Sequence, residues 1–271
     1  MQWLKRIIIG LLSAVAVMVL VIVAVIVWDV NFGVSGSDFT NTTYTTDDGT
    51  TLNGYLAQPE GEGSFPAVLM VHEWWGLNTE IVELADEMAR EGFIVFAPDT
   101  YRGPVAVTIP GALYLRLTVD MQQVDADMLS AYTYLLNETP TTGAIGVVGF
   151  CYGGDVAFNH GIANPEIDAV VNLYGSTLAD SDAFGALLND SAPPVLGIFG
   201  ADDQGIPLDD VNAHQDALAS AGITHTVSIY QGVGHAFVQP DVLTEGGAPQ
   251  EAWEELLAFL NMHLRPDEPA S

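Results

Sequence analysis

The chain is predicted to form an α/β domain with a mostly parallel central sheet and helices on both faces. Apolar runs of strand length alternate along it with segments whose apolar residues recur at helical spacing. Strands and helices that alternate in this way form mostly parallel sheets covered by helices on both faces. Residues 39–265 are long enough for one such domain, preceded by a membrane anchor over 1–30 and a linker over 31–38 and followed by a tail over 266–271.

The domain is expected to begin with a β-hairpin and to continue as alternating strands and helices. Segments 39–46 and 50–57 flank Asp47-Asp48-Gly49, whose residues tolerate the positive φ of a tight turn. The first strands should therefore be antiparallel to the rest. Residues 80–90 carry apolar side chains at helical spacing, and Gly92 follows as a helix stop. Strands are expected over 93–97 and near residues 145, 168, 194 and 226, and further helices over 119–136, 156–163, 209–221 and 250–263.

The N-terminal apolar stretch is predicted to cross a membrane. Residues 7–28 are 22 residues without a charge, and at about 1.5 Å per residue they can cross a hydrocarbon core of about 30 Å. Lys5 and Arg6 precede the stretch, so the positive-inside rule leaves the N-terminus in the cytoplasm and the domain outside it. The alternative is a cleaved signal peptide with its cleavage site at Ala14-Val15-Ala16, which would leave an apolar N-terminus on the mature protein.

Acidic residues dominate the chain after the apolar stretch. All 35 of them lie there against four arginines, which gives this part of the chain a formal net charge of −31. Such a surface repels nucleic acid and anionic lipid, so the binding of a polyanion is excluded. Adaptation to salt, solubility outside the cell and compositional drift would each account for the acidity. We expect a monomer whose partners are a small-molecule substrate and the lipid bilayer around residues 7–28.

The segment Gly149-Phe150-Cys151-Tyr152-Gly153-Gly154 is predicted to be a nucleophile elbow. An apolar run precedes it, a helix-like segment follows it, and glycines two residues either side of Cys151 remove Cβ atoms that would clash in a sharp turn. The sulfur would lie at a helix N-terminus, where backbone N–H groups and the helix dipole favour the nucleophilic thiolate. The alternative is a buried structural cysteine. Because Cys151 is the only cysteine, no disulfide within the chain is possible.

An acid and a histidine follow Cys151 in the order nucleophile, acid, histidine. The loop Gly200-Ala201-Asp202-Asp203 follows one apolar run, and Gly234-His235-Ala236-Phe237 follows the next. This is the chain order of the α/β-hydrolase fold, and it differs from the chymotrypsin and subtilisin orders. The residues alone leave Asp202 and Asp203 open as the acid. No cluster has metal-ligand spacing and no phosphate-binding loop is present, so neither a metal nor an organic cofactor is expected.

These loops resemble those of the dienelactone hydrolases, which are α/β-hydrolases with a cysteine nucleophile. The resemblance covers about residues 44–264. It rests on the elbow, on the two later loops and on the segment His72-Glu73-Trp74-Trp75-Gly76-Leu77-Asn78. The family pattern places the acid three residues after the glycine and four before Pro207. The resemblance therefore implies that Asp203 is the acid that orients His235.

The same resemblance gives roles to three residues around the elbow. It implies that Glu73 helps to create the thiolate when substrate binds, and that the N–H groups of Trp74 and Tyr152 bind the oxyanion. The sequence also favours a functional Glu73, because an apolar run precedes it and two tryptophans beside it would desolvate the carboxylate and raise its pKa. The alternative is a solvated loop acid.

The resemblance implies hydrolysis of an ester or lactone through an acyl-cysteine, as in a carboxymethylenebutenolidase. Family members that act on a carboxylated dienelactone carry two arginines around that carboxylate. Gln239 stands at one of these positions, and Arg102 lies one residue before the other. Arg102, Trp75 and Tyr101 are the candidate substrate-binding residues, although Arg102 also suits an ordinary loop position. Neutral esters and lactones are therefore expected to be better substrates than carboxylated ones.

Two other classes of function stay open from the sequence. A hydrolase fold tethered to a membrane can bind a ligand without turnover, since a fold does not guarantee chemistry. A reactive Cys151 would also suit a cysteine peptidase or a thioesterase, whereas redox cycling usually needs a second cysteine, which this chain lacks. The intact set of Cys151, Asp203 and His235 favours the ester hydrolase.

Overall fold

An eight-stranded sheet is the central layer of the protein, which the computed structural model describes over residues 2–176 and 192–265. A separate two-stranded sheet pairs β1 (Val34–Ser35) with β6 (Pro104–Val105). The strands of the central sheet are β2 (Thr42–Thr45), β3 (Thr51–Ala57), β4 (Phe65–Val71), β5 (Ile94–Pro98), β7 (Thr141–Phe150), β8 (Ala169–Leu173), β9 (Val195–Gly200) and β10 (His225–Tyr230).

Most neighbouring strands in the central sheet are parallel. They lie in the order β10-β9-β8-β7-β4-β5-β3-β2, with parallel pairing from β10 to β5 and antiparallel pairing of β3 with both β5 and β2. The apolar residues 67–71 of β4 are fully buried, as in strands covered by helices on both faces. The structure therefore confirms the predicted α/β fold with antiparallel first strands.

Helices cover both faces of this sheet. Leu84 and Leu256 lie in the hydrophobic core of one face, and Met128 and Phe158 in that of the other. Parallel pairing brings the carboxyl ends of these strands to the same edge of the sheet. In the described parts of the chain the helices are α1 (Gln2–Phe32), α2 (Thr79–Arg90), α3 (Ile109–Thr118), α4 (Met121–Glu138), α5 (Tyr152–Ala163), α6 (Leu208–Ser220) and α7 (Ala248–Leu264).

Helix α3 is absent from the sequence prediction, and α4 begins two residues later than expected. Residues 109–118 have apolar side chains on their exposed side as well as on their buried side, so the sequence shows no amphipathic pattern there. Thr108 caps α3 by accepting a hydrogen bond from the Gly111 N–H. Asp120 caps α4 by accepting from Gln122 and Gln123, which separates the two helices.

The N-terminal helix continues past the apolar stretch and joins the domain directly. Helix α1 is long and apolar enough to cross a membrane, by length and composition. Residues 31–38, expected to be a linker, instead form the end of α1, strand β1 and a 3₁₀ turn. Buried Asp29 accepts hydrogen bonds from the backbone of Val107 and Thr108. The expected tail, 266–271, lies outside the described residues.

Candidate active site

Cys151 lies at the turn between β7 and α5, in a conformation that few side chains adopt. Its φ is 54° and its ψ is −115°. A Cβ on Gly149 would lie 1.8 Å from the Gly153 carbonyl oxygen, and a Cβ on Gly153 would lie 2.2 Å from the Val71 carbonyl oxygen. Only glycine fits at either position. The Cys151 N–H donates to Leu173 O at 2.9 Å and fixes the turn to the neighbouring strand.

Burial keeps the sulfur of Cys151 protonated in the resting structure. Burial and, to a smaller extent, the nearby Glu73 carboxylate together raise the pKa of the thiol to about 12. Hydrogen bonds from the backbone N–H groups of Tyr152 and Trp74 act in the opposite direction. The helix N-terminus was expected to favour a thiolate, but desolvation outweighs it here. Both N–H groups expected to bind an oxyanion are thus directed at the Cys151 sulfur.

Asp203 and His235 are joined by a short hydrogen bond. The His235 Nδ1 lies 2.7 Å from Asp203 Oδ2, and the Asp203 side chain is buried. Asp203 Oδ1 accepts from the backbone N–H groups of Gly205 and Ile206. A carboxylate oxygen accepts hydrogen bonds, so the hydrogen of this bond belongs to His235 Nδ1.

Asp202, the alternative acid, is not the carboxylate that is hydrogen-bonded to His235. Asp202 is exposed, and its backbone N–H donates to Val233 O. The structure therefore brings Asp203, and not Asp202, to His235. Tyr174 packs edge-on against the His235 ring, with ring centroids 5.2 Å apart. Sequence reasoning missed Tyr174; its place at the carboxyl end of β8, an edge shared with Cys151, is the signal that would have found it.

Glu73 is a buried carboxylate with a raised pKa. Desolvation, assisted by the charge of Glu80, raises its pKa to about 7. The Glu73 carbonyl is held from behind by the Gly76 N–H and by His72 Nδ1, 2.7 Å away. His72 is fully buried with its pKa lowered to about 4, so it is neutral; it donates through Nδ1 and accepts from Thr100 through Nε2. The hydrogen bonds of His72 thus hold the loop that carries Glu73 in place.

One cavity of about 510 Å³ contains the candidate nucleophile, acid and histidine. It opens at the carboxyl edge of the parallel strands, where α/β sheets place their sites. A larger depression of about 670 Å³ lies at the opposite edge near Arg90 and Thr142 and contains none of these groups, so we assign the site to the smaller one. The smaller cavity is lined by Trp74, Cys151, Asp202, Asp203, Gln204, Gly205, Gly234 and His235.

The three candidate substrate-binding residues do not line this cavity. Arg102 binds Asp127 through two hydrogen bonds, of 2.7 and 2.9 Å, so its charge is already paired. The Tyr101 ring is buried against Tyr152, and the Trp75 ring packs on that of Trp74. Arg102 is therefore a structural arginine, and the two aromatic residues support the walls of the site from behind.

Comparison with known proteins places the chain in one family. A sequence model of the dienelactone hydrolase family matches residues 52–264. A proposed carboxymethylenebutenolidase of Aquifex aeolicus is 32% identical over 230 residues, which cover 80% of this chain and 96% of that protein. Another from Methylorubrum extorquens is 30% identical over 220 residues, 76% of this chain and 75% of the other.

A solved structure has the same fold. A proposed dienelactone hydrolase from Klebsiella pneumoniae superimposes with a TM-score of 0.70 at 27% identity, covering 81% of this chain and 98% of the other. This chain therefore belongs to the dienelactone hydrolase family and is a hydrolase of the carboxylic-ester class.

Proposed function

We propose that the protein hydrolyses neutral esters or lactones, with Cys151 as the nucleophile. His235 carries the proton, and Asp203 orients its ring. The observation that carries this proposal is the convergence of Cys151 and the hydrogen-bonded Asp203–His235 pair on one cavity. Acyl transfer by a side-chain nucleophile uses a nucleophile, a base and an orienting acid of these kinds.

Acylation begins when the thiol loses its proton. Ionised Glu73 is the first acceptor, and the proton then passes to Nε2 of His235. The sulfur forms a bond to the substrate carbonyl carbon, and the carbonyl electron pair moves to oxygen, where the N–H groups of Trp74 and Tyr152 stabilise it. The C–O bond to the leaving group breaks, and the imidazolium of His235 protonates the departing alkoxide.

Deacylation reverses the proton movements. Neutral His235 removes a proton from water, and the resulting hydroxide adds to the acyl-cysteine carbonyl. The C–S bond breaks, and the sulfur of Cys151 recovers its proton from His235. The cycle ends with a thiol, an ionised Glu73 and a neutral histidine, as it began, with one carboxylic acid and one alcohol released.

The walls of the cavity favour uncharged substrates. No lysine or arginine is among its lining residues within the described parts of the chain. Arg102 is committed to Asp127, and the Gln239 side chain donates to the Ala236 carbonyl oxygen. A substrate carboxylate would therefore enter an acid-lined site without a cation to pair with it, which costs binding energy.

We also propose that α1 anchors the enzyme in a membrane with the domain outside the cytoplasm. The support is the uncharged stretch 7–28 with Lys5 and Arg6 before it. Mass spectrometry of the membrane fraction tests this, because a retained anchor gives the full-length mass. A protein beginning near residue 17 would show a cleaved signal peptide instead.

Hydrolysis of p-nitrophenyl acetate by the purified full-length chain tests the catalytic proposal. We expect turnover that Cys151→Ala abolishes, together with an acetyl adduct in rapidly quenched wild type. The adduct can be located without ambiguity, because the chain has one cysteine. Undiminished turnover by Cys151→Ala would refute the mechanism. A wild type that binds esters but never hydrolyses them would support the binding-protein alternative, and cleavage of peptides in preference to esters would support the peptidase.

A further inference from the structure

The exposed side of α3 is entirely apolar over its central turns. Ile109, Leu113 and Leu117 recur at intervals of four residues and are 64%, 46% and 73% exposed, and Tyr114 beside them is also exposed. The opposite side, with Ala112 and Leu115, is buried in the core. Helix α3 thus has apolar side chains on two sides, and only one of these sides packs against the core.

This surface is uncharged in a strongly acidic protein. Helices α2, α4, α5, α6 and α7 each contain at least one acidic residue, whereas α3 has none. Between Asp99 and Asp120 the sequence carries no carboxylate at all. The one charge on α3, Arg116, is directed inward, lying 3.3 Å from Asp155 and above the Tyr152 ring. The exposed side of α3 therefore has no charged side chain that would favour its contact with water.

The N-terminal helix brings this surface next to the predicted membrane span. Asp29, one residue beyond the span, accepts from the N–H groups of Val107 and Thr108, directly before the first turn of α3. Val25 and Ile26 lie on the same side of α1 as Asp29 and are half-buried, while the rest of the span is mostly exposed. Helices α1 and α3 are in contact. Helix α3 therefore packs beside the last turns of the span.

We infer that α3 is a second membrane-binding element that lies in the bilayer interface with Ile109, Leu113 and Leu117 in contact with lipid. The inference rests on the proposed anchoring by α1, since α1 fixes α3 at the depth of its own last turns. A helix with one apolar face in the plane of the interface is a common form of membrane attachment. The occupant of this face is lipid, because a bilayer that surrounds residues 7–28 already covers the neighbouring surface of α1.

Collisional quenching by brominated lipids tests this placement in the full-length protein. Single cysteines replace Trp28, Leu117 and Met262 one at a time in a Cys151→Ser background, carry the fluorophore NBD, and are reconstituted in phosphatidylcholine vesicles. Trp28 reports the span. Met262 on α7 is 68% exposed, similar to Leu117 at 73%, and is the matched control away from α1. Ile109→Cys is a second reporter of α3 if Leu117→Cys does not fold.

We expect the α3 reporters to be quenched nearly as strongly as the reporter at position 28, and at least about threefold more than the reporter at 262. If the reporter at position 28 is quenched but the α3 reporters are quenched no more than the reporter at 262, the inference is overturned and the anchor stands. Absence of quenching at 28 would overturn the anchor, and with it the membrane placement of α3. Equal quenching at 117 and 262 would show a general adsorption of the domain and would also refute a specific role for α3.

Discussion

At the scale of single residues, the site depends on carboxylates in contrasting surroundings. Asp203 receives hydrogen bonds at both oxygens, from two backbone N–H groups and from His235. Glu73 is buried, and desolvation raises its pKa to about 7. Carboxylates in different environments commonly have different catalytic roles. Here Asp203 suits orientation of the imidazole, and Glu73 suits proton exchange with the thiol.

Asp203→Asn should reduce kcat by about 10²-fold to 10⁴-fold, as expected for loss of the correct histidine tautomer. The asparagine oxygen can still accept from Gly205 and Ile206, so its NH₂ group would face Nδ1 and force the hydrogen onto Nε2. Ester hydrolysis by the purified variant measures the effect. Asp202→Asn is the matched control and should stay within about twofold of wild type. Equal losses in the two variants would contradict the assignment of Asp203.

Glu73 should give the pH profile an acidic limb. Because its pKa is raised to about 7, the carboxylate becomes a competent base only as pH rises through about 7. We expect kcat/KM of the wild type to rise through that range. Glu73→Gln should lose at least about tenfold in kcat/KM and should lack this limb. A profile with the same limb in Glu73→Gln would show that another group controls it.

The same group should make stability depend on pH. A pKa raised from 4.5 to about 7 in the folded state means that the folded protein holds the proton more tightly. The contribution of Glu73 to stability is therefore complete below about pH 4.5 and is lost as pH rises through about 7. The Tm of Glu73→Gln minus the Tm of wild type should therefore be larger at pH 8 than at pH 5, by on the order of 5 °C. If the difference in Tm between the variant and wild type is the same at both pH values, Glu73 is not a buried carboxylate with a raised pKa.

At the scale of elements, the elbow depends on how closely α5 approaches the sheet. The first turn of α5 passes so near β4 and β7 that neither Gly149 nor Gly153 has room for a side chain. This approach brings the helix N-terminus to Cys151 and holds the residue in its unusual conformation. Strain of this kind persists only where surrounding contacts enforce it, and it is typical of catalytic turns.

Gly153→Ala should destabilise the protein by more than about 3 kcal/mol, because the new Cβ would overlap the Val71 carbonyl and force the backbone apart. Thermal unfolding in detergent and yield of folded protein measure the effect. Gly222→Ala is a suitable control: its φ is 73°, but nothing lies within 4 Å of a Cβ there. That control should cost about 1 kcal/mol. Similar losses in the two variants would contradict the predicted clash, because Gly153 lies within helix α5 and does not have a positive φ.

At the scale of the whole molecule, the acidic charge and the proposed membrane anchor would act together on substrate choice. The part of the chain beyond the span carries four arginines and 35 acidic residues. Such a field lowers the local concentration of anions and leaves neutral molecules unaffected. Esters that partition into the membrane are uncharged and suit both the surface and the cavity.

A carboxylated lactone should be hydrolysed with lower kcat/KM than its methyl ester, and added salt should reduce this difference in kcat/KM. At about 0.01 M ionic strength, repulsion reaches about 30 Å from the surface, whereas at 1 M it reaches about 3 Å. We expect kcat/KM for the carboxylated substrate to rise severalfold over that range, while that for the methyl ester stays nearly constant. Equal or higher kcat/KM for the carboxylated lactone at low salt would refute the preference for neutral substrates.

Much of the fold was predictable because its signals are local. The β-hairpin, the helix over 79–90 and the alternation of later strands and helices follow from turn residues and from apolar spacing within short windows. Helix α3 was not predictable in this way, because its exposed side is as apolar as its buried side. The attachment of residues 31–38 was also missed, since a Gly/Ser composition is typical of linkers whether or not the chain packs against a neighbour.

The sequence by itself determined the α/β class, the position of Cys151 between strand and helix, and the chain order of cysteine, acid and histidine. Only the tertiary structure decided that Asp203 faces His235, that Arg102 is paired with Asp127, and that burial keeps the thiol protonated. The physical reason is that periodicity and turn stereochemistry are properties of neighbouring residues. Desolvation and charge pairing depend instead on groups that are far apart in the chain and meet only when it folds.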